Sequence, residues 1–184
     1  LPSNFDCKPY DAVFNLINKI DFVPESDRIH RTEIFAKKLG VEKVDYSTDW
    51  KLSIPYQWRL DIRRKLAEHA GSGRRKLIVI QVDSKGASRL YPREHLKELI
   101  GKCLKRYEVA LVSDVKIDGF SSNAINLTGQ LSLQEYVSII ADCDLFVGPD
   151  SSGVHVAGCV DTKAIGLYGS VDPKLRVSHY DTVY

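Results

Sequence analysis

FVGPDSSGVHVAG, Phe146 to Gly158, carries an apolar, strand-like segment into a turn and then sets Asp150, Ser151, Ser152, Gly153 and His155 where a helix begins. Such a strand–turn–helix unit belongs to a parallel α/β sheet. A helix N-terminus presents unpaired N–H donors and about half a positive charge, so it attracts anions. Ser151, Ser152 and Gly153 are small enough for a diphosphate to approach that backbone, and His155 in the first turn adds a hydrogen-bond donor. Asp150 would repel phosphate but suits sugar hydroxyls, which donate hydrogen bonds. A phosphate cradle beside a sugar acceptor points to a nucleotide-sugar. The competing reading is local: Asp, Ser and Gly also serve as ordinary turn and N-cap residues.

The surrounding chain repeats the same alternation. Apolar runs at 77–82 (LIVIQV), 109–113 (VALVS), 125–127 (INL), 144–148 (DLFVG) and 164–168 (AIGLY) read as strands. Between them, PREHLKELIGKCLKR and SLQEYVSIIADC have helical spacing, the second opening with Ser132 and Glu135 in capping-box register. Upstream, YQWRLDIRRKLAEHA reads as a helix ended by GSG. The pattern predicts a doubly wound, Rossmann-like parallel sheet with helices on both faces. In such sheets ligands bind outside the carboxyl ends of the strands. The segments leaving the strands supply Lys85 and Arg89, then Asp114 and Asp118, then Thr128 and Gly129, then the Asp150 to His155 run. Lys85 and Arg89 are candidate diphosphate contacts; Asp114, Asp118, Thr128 and Gly129 are candidate nucleoside contacts.

The 184 residues are 43% hydrophobic and 27% charged, with a net charge of +2, an ordinary globular balance without the basic excess of a dedicated nucleic-acid binder. No apolar run approaches the roughly 20 residues of a membrane span, and the N-terminus lacks the pattern of a signal peptide. Four separated cysteines without a CxxC pair suit a reducing, cytoplasmic setting and argue against a zinc site. With no methionine the chain reads as a piece of a longer protein. Residues 1–48, with one short strand candidate (AVFNL, 12–16) and one helix (HRTEIFAKKLG, 30–40), are too little to enclose a core and read as the tail of a preceding domain plus a linker. Residues 49–184 form the Rossmann-like domain. The basic group that includes Arg59, Arg63 and Arg64 is either a solvated helix face or a contact for an anionic membrane surface. Asp150, Ser151 and His155 lack the strained GxSxG turn that a hydrolase nucleophile needs.

LTGQLSLQEYVSIIADCDLFVGPDSSGVHVAGCVDTKAIGLYGSVDP, Leu127 to Pro173, resembles the C-terminal half of glycosyltransferase family 9, the heptosyltransferase-like enzymes. SRLYPREHLKELI is similar to the family segment in which a lysine precedes an aromatic-Pro pair, and YDAVFNL to a late strand of its N-terminal domain. The resemblance implies a GT-B architecture of two Rossmann-like domains, and transfer of a heptose-like sugar from an ADP-linked donor to a glycolipid or glycan acceptor. Transfer would proceed with inversion and without a metal or other cofactor. It implies that Asp150 contacts the donor sugar, that Ser151, Ser152, Gly153 and His155 hold the diphosphate, and that Arg89 stands where the family has its phosphate-binding lysine. Ser152 replaces a usual glycine, Lys85 is a second cation near Arg89, and the 113–125 segment is short for the helix that often carries a ribose-binding acid. The general base belongs to a region of the family that this chain does not match. A non-catalytic nucleotide- or sugar-binding module, or another GT-B enzyme such as a nucleotide-sugar epimerase, are the alternatives.

Overall fold

The computed structural model describes residues 28–42, 44, 51–69, 75–169 and 171–184. The strand candidate at 12–16 and the GSG break lie outside them. The chain divides into two compact units, Leu1–Thr48 with Val171–Arg176, and Asp49–Ser170 with Val177–Tyr184. In the first, α1 (Arg31–Lys38) buries Ile34 and Ala36, and the His30 imidazole accepts the Thr32 N–H at its N-cap, 3.3 Å away.

The second unit runs α2 (Tyr56–Ala67), β1 (Leu77–Gln81), α3 (Arg93–Leu104), β2 (Glu108–Val112), β3 (Ile125–Asn126), α4 (Leu133–Asp142), β4 (Leu145–Pro149), α5 (Ser152–Cys159) and β5 (Ala164–Leu167). The five strands are all parallel in the order β3-β2-β1-β4-β5. Register pairs Ile78 with Val109 on one side and Leu145 on the other. The alternation of side chains along each strand divides the core into two layers. Val79, Ala110, Val112 and Phe146 pack with Ile62 of α2, Ile139 and Ile140 of α4, and Val154 and Ala157 of α5. Ile78, Ile80, Val109, Leu111 and Val147 pack on the other face with Leu96 and Ile100 of α3. Helices cover both faces, as the periodicity predicts, and each fully buried Ile, Leu, Val or Phe contributes about 1.5–3 kcal/mol over its exposed state.

Local signals explain the element ends. Ser132 accepts the Glu135 N–H at 3.2 Å while the Glu135 carboxylate accepts the Ser132 N–H at 2.8 Å, closing the capping box that starts α4. Residues 113–124 contain turns and no helix, as the length of the segment predicts. The C-terminal residues add an edge the hydropathy pattern does not show: Ala164 and Gly166 donate to the Thr182 and Tyr184 carbonyls at 2.8 and 2.7 Å, parallel to β5.

The basic residues of α2 turn out to hold two helices together. Arg59 and Arg63 both bond Asp142, whose side chain is only 5% exposed, and Arg59 also donates to the Ala141 carbonyl at 3.0 Å. Lys65 reaches the Glu135 carboxylate at 2.9 Å, and Arg64 meets Asp61 on the exposed side at 3.3 Å. A carboxylate this buried needs compensation, and the two guanidinium groups supply it.

Cys103, Cys143 and Cys159 are free thiols. Burial pushes the Cys143 thiol up to about 12, and its Sγ–H donates to the Ile140 carbonyl at 3.2 Å. Only the thiolate reacts, so at pH 8 Cys143 in the folded protein is expected to alkylate roughly a thousandfold more slowly than in urea. Mass spectrometry after timed iodoacetamide labelling reads this directly; equal rates in both states would refute it.

Candidate functional site

The strand order reverses beside β1: the chain builds β1, β2 and β3 outward, then returns through α4 to lay β4 on the other side of β1. At that switch point the loops after neighbouring strands part, leaving a crevice at the carboxyl ends of β1 and β4. A cavity of about 460 Å³ lies there. Its walls come from the loop after β1 (Asp83, Ser84, Lys85, Arg89), the end of β2 (Ser113, Asp114), the start of α4 and the start of α5.

Ser151 and Ser152 form the α5 wall. Ser151 is the N-cap residue in extended conformation (φ −156°, ψ 177°), yet its side chain makes no capping bond to the helix. The hydroxyl instead accepts a hydrogen bond from the Gln81 amide at 3.0 Å. Gly153 sits one residue further in, where backbone and neighbours close up: an added Cβ would come 2.5 Å from the Tyr136 hydroxyl and 2.6 Å from Gln81 Oε1. Packing alone therefore excludes a side chain at Gly153.

Arg89 ends a short 3-10 turn, Ala87–Arg89, and its Nη1 donates to the Asp150 carbonyl at 3.0 Å. That bond ties the loop after β1 to the turn after β4 and leaves the rest of the guanidinium on the cavity wall. Lys85 also lines the cavity and pairs with Asp114 at 3.5 Å, with both side chains more than half exposed. Such a pair contributes little to stability, so it can exchange partners at small cost. The walls are mixed in charge, since Asp83 and Asp114 stand among the cations.

The structure thus brings Lys85, Arg89, Asp114, Ser151 and Ser152 to one cavity, with Gly153 beneath and Asp150 joined through its backbone. Other candidates sit elsewhere. His155 lies on α5 outside the cavity walls, its ring edge-on to Tyr180 with centroids 5.9 Å apart. Asp118 is on the surface, 3.8 Å from Lys116, and its carbonyl accepts from Arg93. Thr128 is fully buried; its hydroxyl accepts the Ile117 N–H at 2.9 Å and bonds Asn126 Oδ1 at 2.6 Å. Gly129 takes φ +66°, and a Cβ there would meet the Lys116 nitrogen at 2.6 Å. Thr128 and Gly129 therefore brace the turn after β2 instead of lining the cavity. Among the described residues, no three His, Cys, Asp or Glu side chains gather to hold a metal ion, and no helix is long and apolar enough to cross a membrane.

Gln81 and Tyr136 are the residues that sequence reasoning passed over. Gln81 is the single polar side chain in the apolar run from Leu77 to Val82, and Tyr136 lies one turn into α4. The Tyr136 hydroxyl donates to Gln81 Oε1 at 2.9 Å, and burial raises the phenol to about 12. It therefore stays a neutral donor across the physiological range.

The model of glycosyltransferase family 9 (heptosyltransferase) matches residues 11–177. Lipopolysaccharide heptosyltransferase 3 of Escherichia coli is 30% identical over 146 residues, covering 73% of this chain and 42% of that protein. Among solved structures, the glycosyltransferase of family 9 from Veillonella parvula superposes with a TM-score of 0.66 at 18% identity, over 79% of this chain and 45% of its own. The E. coli ADP-heptose lipopolysaccharide heptosyltransferase II superposes with a TM-score of 0.61 at 21% identity, over 73% and 44% respectively. The chain spans less than half the length of each of these relatives.

Proposed function

The chain belongs to glycosyltransferase family 9, and on that premise we propose that it is the donor-binding half of an enzyme that moves a heptose-like sugar from an ADP-linked donor to a lipopolysaccharide-type glycolipid acceptor. Residues 1–48 are then the tail of the acceptor-side domain and its linker, and 49–184 hold the donor. The observation that carries this reading is the convergence of Ser151, Ser152, Lys85 and Arg89 on one cavity at the switch point of the sheet. ADP as the leaving group agrees with the ADP-heptose for which the E. coli heptosyltransferase II is named.

In this proposal the diphosphate lies against the N-terminus of α5, with Gly153 allowing close approach and Arg89 and Lys85 facing it. As the bond between the anomeric carbon and the diphosphate breaks, negative charge grows on the leaving phosphate. Cations and N–H groups already aimed there stabilise that charge more than the ground state. Asp150 accepts from hydroxyls of the sugar. His155 joins only if its ring leaves Tyr180. The base that activates the acceptor is not among the residues assigned here, and no metal enters the assignment. Contact with an anionic membrane face belongs to the same proposal: Arg63 and Arg64 keep 55% and 72% of their side chains exposed even while paired.

A thermal-shift series with ADP, GDP, UDP and their sugar-linked forms tests this. A ligand at 100 times its Kd stabilises by about 2.7 kcal/mol, on the order of 5 to 10 °C for a chain of this size. ADP is expected to raise Tm and an ADP-sugar to raise it further. In Asp150→Ala the ADP shift should survive and the extra increment from the sugar should vanish. No shift with any nucleotide, or equal loss of both increments, would count against the assignment.

A further inference from the structure

Resting on that donor-site reading, we propose that Gln81 and Tyr136 form a positioning relay that turns the Ser151 hydroxyl into a fixed hydrogen-bond donor toward a phosphate oxygen. Gln81 Nε2 lies 2.8 Å from the Asp83 carbonyl, a group that can only accept, so the amide nitrogen must face that side. The same nitrogen lies 3.0 Å from Ser151 Oγ, and its second hydrogen is spent there. Ser151 Oγ therefore accepts, and its own hydrogen must go elsewhere. Among the described residues no acceptor takes it, and the residue lines the cavity shared with Lys85 and Arg89.

The other end of the relay sets the amide. Gln81 Oε1 accepts the Tyr136 hydrogen at 2.9 Å. Hydrogens thus run in one direction, from Tyr136 to Gln81 and from Gln81 to Ser151. Ser151 is left with a hydrogen for an anion. Three segments far apart in sequence, the end of β1, the first turns of α4 and the cap of α5, must be in place together for this to hold.

Calorimetric titration of the full chain with ADP, in a set of variants, separates positioning from structural support. Gln81→Leu and Ser151→Ala are each expected to weaken ADP binding roughly 10- to 100-fold, the range for a hydrogen bond to a charged group. Gln81→Leu introduced into Ser151→Ala should cost nothing further, because the relay acts only through that hydroxyl. Tyr136→Phe should weaken binding less, and again only while Ser151 is present; it carries the test should Gln81→Leu fail to fold. Losses that persist in the Ser151→Ala background, or unchanged affinity in Gln81→Leu, would overturn the relay while leaving the donor site intact. If the unaltered chain binds no ADP, the donor reading fails and the relay with it.

Discussion

Gly153→Val is expected to lower the stability of the chain by about 1–3 kcal/mol and to abolish nucleotide binding together. Even the first added carbon would stand 2.5 Å from the Tyr136 hydroxyl and 2.6 Å from Gln81 Oε1, with the Phe146 ring also in the way. The ring is fully buried, and displacing either polar group breaks the bond between the two. The start of α5 must shift, taking Ser151 and Ser152 with it. Thermal unfolding should show a Tm lower by a few to about 10 °C, and ADP should no longer raise it. Gly101→Ala supplies the contrast. That glycine lies within α3 and nothing comes within 4 Å of an added Cβ, so alanine there should stabilise by about 0.5–1 kcal/mol and leave ADP binding unchanged. A Gly153→Val protein with unaltered Tm and ADP affinity would show that the cap of α5 is not packed as described.

Phe146→Ala should cost more, about 3–5 kcal/mol, the range for removing a fully buried aromatic ring. The domain's whole stability is of order 5–15 kcal/mol, so this one change uses a large share of it. The ring lies on the face of β4 covered by α2, α4 and α5, and it supports the α5 turn from below. Urea unfolding should move to a lower midpoint with an unchanged slope if the native state stays compact. A second outcome follows from the geometry. Gly153→Ala should cost less in the Phe146→Ala background, because one of the three obstructing groups has gone. Strictly additive costs would mean that the ring and the helix start do not meet.

Much of the fold was legible because it depends on local pattern. Leu77 to Val82 and Asp144 to Gly148 are apolar on both faces, which only a strand covered by helices on both sides requires, and β1 and β4 fall within a residue of these runs. Ser132 and Glu135 announced a helix start through a bond made within four residues. Ser151, Ser152, Arg89 and Lys85 were legible as cavity residues because they follow strands, and strand exits share one end of a parallel sheet. Thr128 and Gly129 follow a strand too, but a fully buried hydroxyl and a left-handed backbone are consequences of how residues 115–118 fold over them. The charges of Arg59 and Arg63 look like a surface face until Asp142, some 80 positions away, comes to meet them.

The sequence by itself determined the parallel α/β class, the places where strands give way to helices, and the polar turn before α5, since each follows from hydropathy period and capping chemistry over a few residues. Only the tertiary structure decided the order β3-β2-β1-β4-β5, hence which strand exits become neighbours. It alone joined Gln81 to Tyr136 and Ser151, partners 55 and 70 positions apart. The physical reason is the range of the interactions. Period and caps are set by neighbours along the chain, whereas the direction of a hydroxyl hydrogen depends on which acceptors packing has left within about 3 Å.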